Sequence, residues 1–484
     1  MSKLKKQALT GVIWNGIQLV INQSFGFIIK LVLAKLLFPE QFGLVGMATV
    51  FTGFVQVFND LGIGAALIQR KDEDLKPVHY HTAFWTGVGW SILMYLIMAF
   101  VVGPLATQFY DEPLLEKLVP VLGLGVLFSP VNLIHKAQLT KKMNFKRMAF
   151  IENTATIISG TLALLLAYLG AGVWTLVFNA IATMVFAMPL YFISTKWLPK
   201  LIYDKTAFKD VFGFGIFTTG TNIVNYLISN VDYLLIGKFV SSSALGAYTF
   251  AFVLTNTFRG RLMAVMNRVF YPLYSKMQDN PDTLKKYYLK VVNYNSVVIF
   301  PIMVFFILLA DPVIVRVFGE KWIDSISPLQ ILSASVMVHM MVNSNTSLIR
   351  GIGRPDLEFK IQLVKAIIFV PVLILGVLKF GIVGAAYATL INKVMAVIIA
   401  QYTFNNLLKI KISTLEFLKA VKEPWIASFI SFTICYSLLH FMGLNYIVTS
   451  ILFFILYGLS IWWLMKAELA SIIKELKQLK TKKI

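Results

Sequence analysis

Lys35-Leu36-Leu37-Phe38-Pro39-Glu40-Gln41-Phe42-Gly43 closes the first long apolar stretch of the chain, and Lys238-Phe239-Val240, ending at Gly246, closes another 203 residues later. Both begin on lysine, continue with two apolar residues and end on glycine at the same spacing. A constant offset of this kind marks an internal duplication. A second match, Gly170-Ala171-Gly172 against Gly381-Ile382-Val383-Gly384, sits at an offset near 212. Six apolar segments precede the second copy and six more start with it. Two halves that begin on the same side of a bilayer are related by a pseudo-twofold axis along the membrane normal.

Composition agrees with a membrane setting. Of 484 residues 58% are hydrophobic and 14% charged, while 44 Lys+Arg against 23 Asp+Glu leave a net charge of +21. Soluble domains carry about 25% charged residues, so a multidomain soluble enzyme is excluded. Basic residues scattered between long apolar runs form no continuous phosphate-binding face, which excludes nucleic acid. The single cysteine, Cys435, rules out a disulfide framework. Three lysines in Met1–Lys6 before an apolar run resemble a secretory signal. The run continues too far without a cleavage site and is read as a retained first span.

Apolar windows near the ~20 residues that cross a bilayer run from 10–34 through 42–66, 117–135, 211–237, 245–267, 327–348, 361–378 and 382–403 to 444–465, about fourteen in all. With the N-terminus inside, 33 of the 44 basic residues fall in the cytoplasmic loops and tails, and only Lys35, Lys117, Lys238, Arg316, Lys321 and Lys379 lie outside. The positive-inside rule therefore puts both termini in the cytoplasm. The expected fold is all-α and polytopic. Its parts are helices 1–6 over 1–195, a cytoplasmic linker over 196–210, helices 7–12 over 211–405, and helices 13–14 with a basic tail over 406–484.

Five basic residues remain inside spans: Lys30, Arg259, Arg261, Lys365 and Lys393. A charge at the bilayer centre costs at least ~2.5–3.5 kcal/mol on insertion scales, so it faces water or a partner. Lys30 and Lys365 lie close enough to span ends to snorkel as readily as to bind. Arg259 and Arg261 are nearer the middle. Lys393 is central in a helix that ends its half and is set aside as peripheral. Thr218, Asn222, Asn225, Ser229 and Asp232 share one helical face, as do Asn15, Gln18, Asn22, Gly26 and Lys30 of the first span. Interhelical hydrogen bonding explains such stripes, as does a water-filled cavity, and their length and charged ends favour the cavity. At the offset of 203, Arg259 stands where the first half has Gln56. Asp232 is a candidate for pairing with Lys30 or Lys238, or for a protonatable coupling site. The excess of basic groups points to an anionic substrate bound by guanidinium.

Other motifs are weaker. Asp72-Glu73-Asp74 matches a glycosyltransferase D-x-D, but it sits in a short charged loop with no catalytic domain around it. His79-x-His81 lacks carboxylate support for a metal and reads as interfacial. His339, flanked a turn either way by Ser335 and Asn343, reads as polar interior of the tenth span. No P-loop appears, and no cofactor is implied.

The chain resembles the polysaccharide transporter branch of the multidrug/oligosaccharidyl-lipid/polysaccharide exporter superfamily. The resemblance rests on Gly11-Val12-Ile13-Trp14, on Leu36 to Gly43, on Asn59-Asp60-Leu61-Gly62-Ile63-Gly64-Ala65-Ala66-Leu67-Ile68-Gln69, on Gln138 to Lys146 and on Gly351-Ile352-Gly353-Arg354-Pro355. It implies a non-enzymatic flippase of the bacterial inner membrane that moves an undecaprenyl-diphosphate-linked repeat unit outward by alternating access. Two six-helix lobes would enclose a cavity lined by helices 1, 2, 7 and 8. Arg259, Arg261, Lys30, Asn22, Asn225, Gln56 and Lys365 are the expected substrate-binding residues, with Asp232 the coupling candidate. A glycan polymerase and glycosyltransferases would be its partners. A drug or cation antiporter of the same superfamily is the rival reading, and a membrane glycan polymerase a weaker one.

Overall fold

The computed structural model describes residues 25–59, 63–71, 73–212, 215–408 and 410–466, which are helical almost throughout and contain no strand. Ten helices among them are long and apolar enough to cross a bilayer, so the protein is a multi-pass membrane protein. The chain divides into two compact units after Phe250.

The first unit holds α1 (25–36), α2 (Pro39–Asn59), α3 (Ile63–Gln69), α4 (Pro77–Ile97) and α5 (Gly103–Tyr110), then α6 (Leu115–Lys141), α7 (Phe145–Tyr168), α8 (Val173–Thr195), α9 (Lys205–Phe212), α10 (Gly215–Phe239) and the opening of α11 (Ser242–Lys276). A π turn at Met98–Val102 joins α4 to α5. Pro104 has no N–H to give and its ring crowds the carbonyl one turn back, so the helix widens there instead of breaking. Helix α6 packs on α2, α4 and α8, and α7 lies against α8.

The second unit contains the rest of α11, α12 (Pro281–Pro312), α13 (Ile326–Met340), α14 (Asn345–Gly351), α15 (Pro355–Tyr402), α16 (Thr414–Ala420), α17 (Lys422–Phe441) and α18 (Tyr446–Leu464). Helix α12 is its centre, packed by α13, α17 and α18 around Val291, Val292, Phe300 and Met303. Its start is set by Pro281 at the first helical position and by Asn280, whose side chain caps Thr283 N–H at 3.0 Å. Helix α15 is broken at Gly381 (φ 57°, ψ −136°). The chain reverses there, because a Cβ on Gly384 would fall 1.9 Å from the carbonyl oxygen of Gly376. The two arms correspond to the eleventh and twelfth expected spans.

The duplication has a physical counterpart in the first unit. A Cβ added to Gly43 would lie 1.7 Å from the carbonyl oxygen of Ser242, and one added to Gly246 would lie 1.8 Å from that of Pro39. Shifting Pro39 and Gly43 by 203 gives Ser242 and Gly246. The two contacts are therefore one contact made twice, with the partners exchanged, as across a twofold axis. Backbones approach this closely only where the residue facing the other chain segment's carbonyl has no Cβ. Gly172, which opens α8, has φ 58° and ψ −131°, close to the values at Gly381. Backbone conformation thus aligns Gly172 with Gly381, three residues from the register that glycine spacing suggests. A conformation reserved for glycine is the more specific marker.

The linker after α8 is held to α3 and α4. Arg70 pairs with Asp210 at 2.7 Å, and Lys141 donates to the carbonyl of Arg70. His79 Nδ1 accepts from Lys76 N–H, leaving Nε2–H to donate to Asp210 at 3.5 Å. His81 stacks on Trp197 and accepts from Lys200 N–H at 3.0 Å, while Trp85 donates to the carbonyl of Lys200 at 2.8 Å. Both histidines thus fasten the linker, and no group of three metal-binding side chains occurs among the described residues. Burial pushes the Asp210 carboxyl up, but hydrogen bonds from Arg70 and His79 outweigh it and hold the group below the usual carboxylate range.

Two predictions follow from these contacts. Gly43→Ala and Gly246→Ala each force backbones apart and should lower stability by at least the ~1–3 kcal/mol typical of overpacking. Gly458→Ala, with open space around it, should be neutral or stabilising. Thermal unfolding in detergent compares the three, and equal melting temperatures refute the crossing. For the linker, a depressed carboxyl contributes above the ordinary carboxylate range and is lost only as pH falls through its lowered value, below about pH 4. Asp210→Asn should therefore speed hydrogen exchange across 196–212 at neutral pH, and acidifying the wild type should approach the same rate.

Candidate functional site

Helices α10 and α11 are 25 and 35 residues long, yet neither is among the ten apolar spans. Their polar residues are the reason: α10 alone carries Thr218, Thr219, Asn222, Asn225, Ser229, Asn230 and Asp232. Hydrocarbon would not accept such a helix over its whole circumference.

In the second unit, Arg259 of α11 is half-buried. Its Nε donates to Asn256 Oδ1, one turn back, at 2.5 Å, and one terminal nitrogen meets His339 Nδ1 of α13 at 3.0 Å. A guanidinium has no acceptor, so His339 Nδ1 must accept and its ring proton resides on Nε2. The imidazole bound to Arg259 is therefore neutral. Helix α15 packs against α13. Lys393, Arg259 and Lys365 all act electrostatically on His339, which brings both arms of α15 and α11 to one place. Glu358, whose charge reaches Lys365, is itself paired with Arg350 at 2.5 Å. No ion pair recorded among the described residues involves Arg259.

The surroundings are polar without being satisfied. Among the described residues, Asn343, one turn after His339, is buried with neither amide atom bonded, and so is Asn295 elsewhere on α12, the helix packed on α13. Buried amides left without partners cost roughly 1–3 kcal/mol each, a sign that water or a ligand belongs nearby. Three cations around one neutral imidazole have the chemistry that binding a multiply charged anion calls for. Phosphate oxygens suit it best, since Arg259 can offer two parallel N–H groups.

The remaining expected residues are distributed as follows. Arg261 lies in α11 and its side chain is outside the described residues; Asn22 is outside them altogether. Lys365 joins the Arg259 cluster. Lys393, expected to be peripheral, belongs to it as well, because the break at Gly381 folds the second arm of α15 back on the first. Lys30, Gln56, Asn225 and Asp232 fall in the first unit. Lys30 and Asn225 are exposed. Gln56 donates to Ser129 of α6 at 3.4 Å. Tyr226 of α10 donates to the carbonyls of Thr49 and Val50, using space that Gly53 leaves open. Asp232 is buried, accepting from Tyr248 OH at 3.2 Å and from Tyr233 N–H at 3.0 Å. Lys238 lies over the Phe109 ring at 5.5 Å. Lys136, Glu152 and Tyr191 line a separate cavity of about 360 Å³ between α6, α7 and α8, with Glu152 paired to Lys136 at 2.6 Å.

A family model described as polysaccharide biosynthesis protein matches residues 32–327. The lipopolysaccharide biosynthesis protein WzxC of Escherichia coli K12 is 25% identical over 82% of this chain and 81% of its own. The teichuronic acid biosynthesis protein TuaB of Bacillus subtilis 168 is 25% identical over 91% of this chain and 92% of its own. Among solved structures, the lipid II flippase MurJ in an inward closed conformation superposes with a TM-score of 0.75 at 15% identity, covering 94% of this chain and 100% of that one. The fold is thus of the MurJ type.

Proposed function

The chain belongs to the family of polysaccharide biosynthesis proteins, and on that premise we propose that it is a flippase for an undecaprenyl-diphosphate-linked oligosaccharide. It carries the repeat unit from the cytoplasmic to the outer leaflet of the bacterial inner membrane, for assembly of a surface polysaccharide. The names borne by its relatives, lipopolysaccharide and teichuronic acid biosynthesis proteins, support a lipid-linked glycan as cargo. The observation that carries the reading is the bonded pair of Arg259 and His339, with Lys365 and Lys393 acting on the same imidazole and no described carboxylate paired with Arg259. Such a group is retained against a cost of several kcal/mol because its counter-charge arrives with the substrate. The lipid diphosphate supplies that charge, while the prenyl chain stays in hydrocarbon.

Fourteen spans in two six-helix lobes, 1–195 and 211–405, joined by the linker 196–210 and followed by two helices within 406–484, fit the offset of 203 and the exchanged glycine contact. Loop charges favour cytoplasmic termini. Alternating access then follows from rocking of the lobes around a polar cavity. Arg261, Lys30, Asn22, Asn225 and Gln56 are assigned to the cavity wall, and Asp232 to coupling. Glycosyltransferases on the inside and a polymerase outside keep the flux directed outward.

Reconstitution with a fluorescent undecaprenyl-diphosphate oligosaccharide tests this. Losing charge-assisted hydrogen bonds worth about 1.5–3 kcal/mol should cut binding and translocation by Arg259→Ala roughly tenfold or more, with Arg259→Lys between. Arg316→Ala, in an outer segment, should behave as wild type. Unchanged translocation by Arg259→Ala overturns the assignment.

A further inference from the structure

Arg259 and His339 are bonded in a way that only a neutral imidazole permits, and this gives the cluster two charge states. A proton on His339 Nδ1 would oppose two donors, so proton binding and the Arg259 contact exclude each other. We propose that His339 is a proton site linked to the anion site: when a diphosphate occupies the cluster, Arg259 turns to it and His339 takes up a proton from water. The inference rests on the anion-binding reading above and adds to it a second, chemically distinct ligand.

Among the described residues, every charged group that bears on His339 is positive. Arg259 comes from α11 and Lys365 and Lys393 from α15. Helix α12, which also packs on α13, has no charged residue over 291–310, its one titratable side chain there being Tyr294. Helix α13 itself is uncharged apart from His339. The turn Glu320–Ser325 at its far end bears Glu320, Lys321 and Asp324, about 20 Å away by helical rise. With the site empty, a fourth positive charge is therefore opposed from two helices. A diphosphate reverses the local sign, supplies acceptors for both Arg259 and an imidazolium, and leaves Nδ1 free to bind the proton. Linkage is reciprocal: the anion promotes the proton and the proton promotes the anion. The loaded site is then one charge less negative, which lowers the cost of holding a diphosphate in a medium of low dielectric.

The probe is a short-chain prenyl diphosphate-linked monosaccharide, a diphosphate diester that does not itself titrate across the histidine range. It is added to the full chain in nanodiscs between about pH 5 and pH 8. Wild-type affinity should weaken with rising pH, by up to about tenfold per pH unit. His339→Gln, which keeps an acceptor for Arg259, should flatten that dependence. In weak buffer with an indicator dye, wild-type protein should take up as much as one proton for each probe bound. Binding with the same pH dependence in both proteins, or with no proton uptake by the wild type, overturns the proton site and leaves the anion reading standing. No binding by the wild type overturns both. If His339→Gln does not fold, proton uptake by the wild type decides alone.

Discussion

A guanidinium in hydrocarbon has nowhere to put its charge, and that constraint governs this protein from loops to interior. Most of its 44 basic residues fall between the apolar windows rather than within them. The few that remain in spans must be provided for individually. Arg259 is provided for by Asn256 and His339, which give it acceptors but no counter-charge. Hydrogen bonds hold the side chain without neutralising it. Had a carboxylate stood at His339, the pair would be neutral and closed to a diphosphate. An imidazole is the acceptor that holds an arginine without cancelling it.

Much of the architecture was legible in the chain. Apolar windows marked the spans, and Gly43 and Gly246 marked the duplication because close backbone contact tolerates no other residue. Arg259 and Lys365 stood out as charges inside spans, since the bilayer makes each one conspicuous. The pairing of Arg259 with His339 was not legible. Eighty residues separate them, and no local periodicity says which face of α13 meets α11. Lys393 was set aside because the sequence does not show that the chain reverses at Gly381 and brings both arms of α15 to α13. The same limit applied to His79 and His81: their spacing invites a metal, while their actual partners, Asp210 and Lys200, lie more than a hundred residues away.

What the duplication conserves and what it lets diverge separate scaffold from chemistry. At the offset of 203, Gln56 and Arg259 are the same position, and each reaches across to the fourth span of its own half. Gln56 meets Ser129 of α6, and Arg259 meets His339 of α13. Both halves thus tie their second helix to their fourth by a side-chain hydrogen bond from the same register position. In the first half the tie joins two neutral groups that cannot change charge. In the second half the same tie joins a permanent cation to a titratable ring, and two lysines from the eleventh and twelfth helices converge on it. The second half thus sets beside a permanent cation what the first half lacks, a ring able to take up a proton. The glycine crossing shows the opposite behaviour: Gly43 and Gly246 remain identical because each fits against the other copy's backbone, and neither can change without the other. Symmetry has persisted where a backbone contact is shared, and chemistry has diverged where each half makes its own side-chain bond.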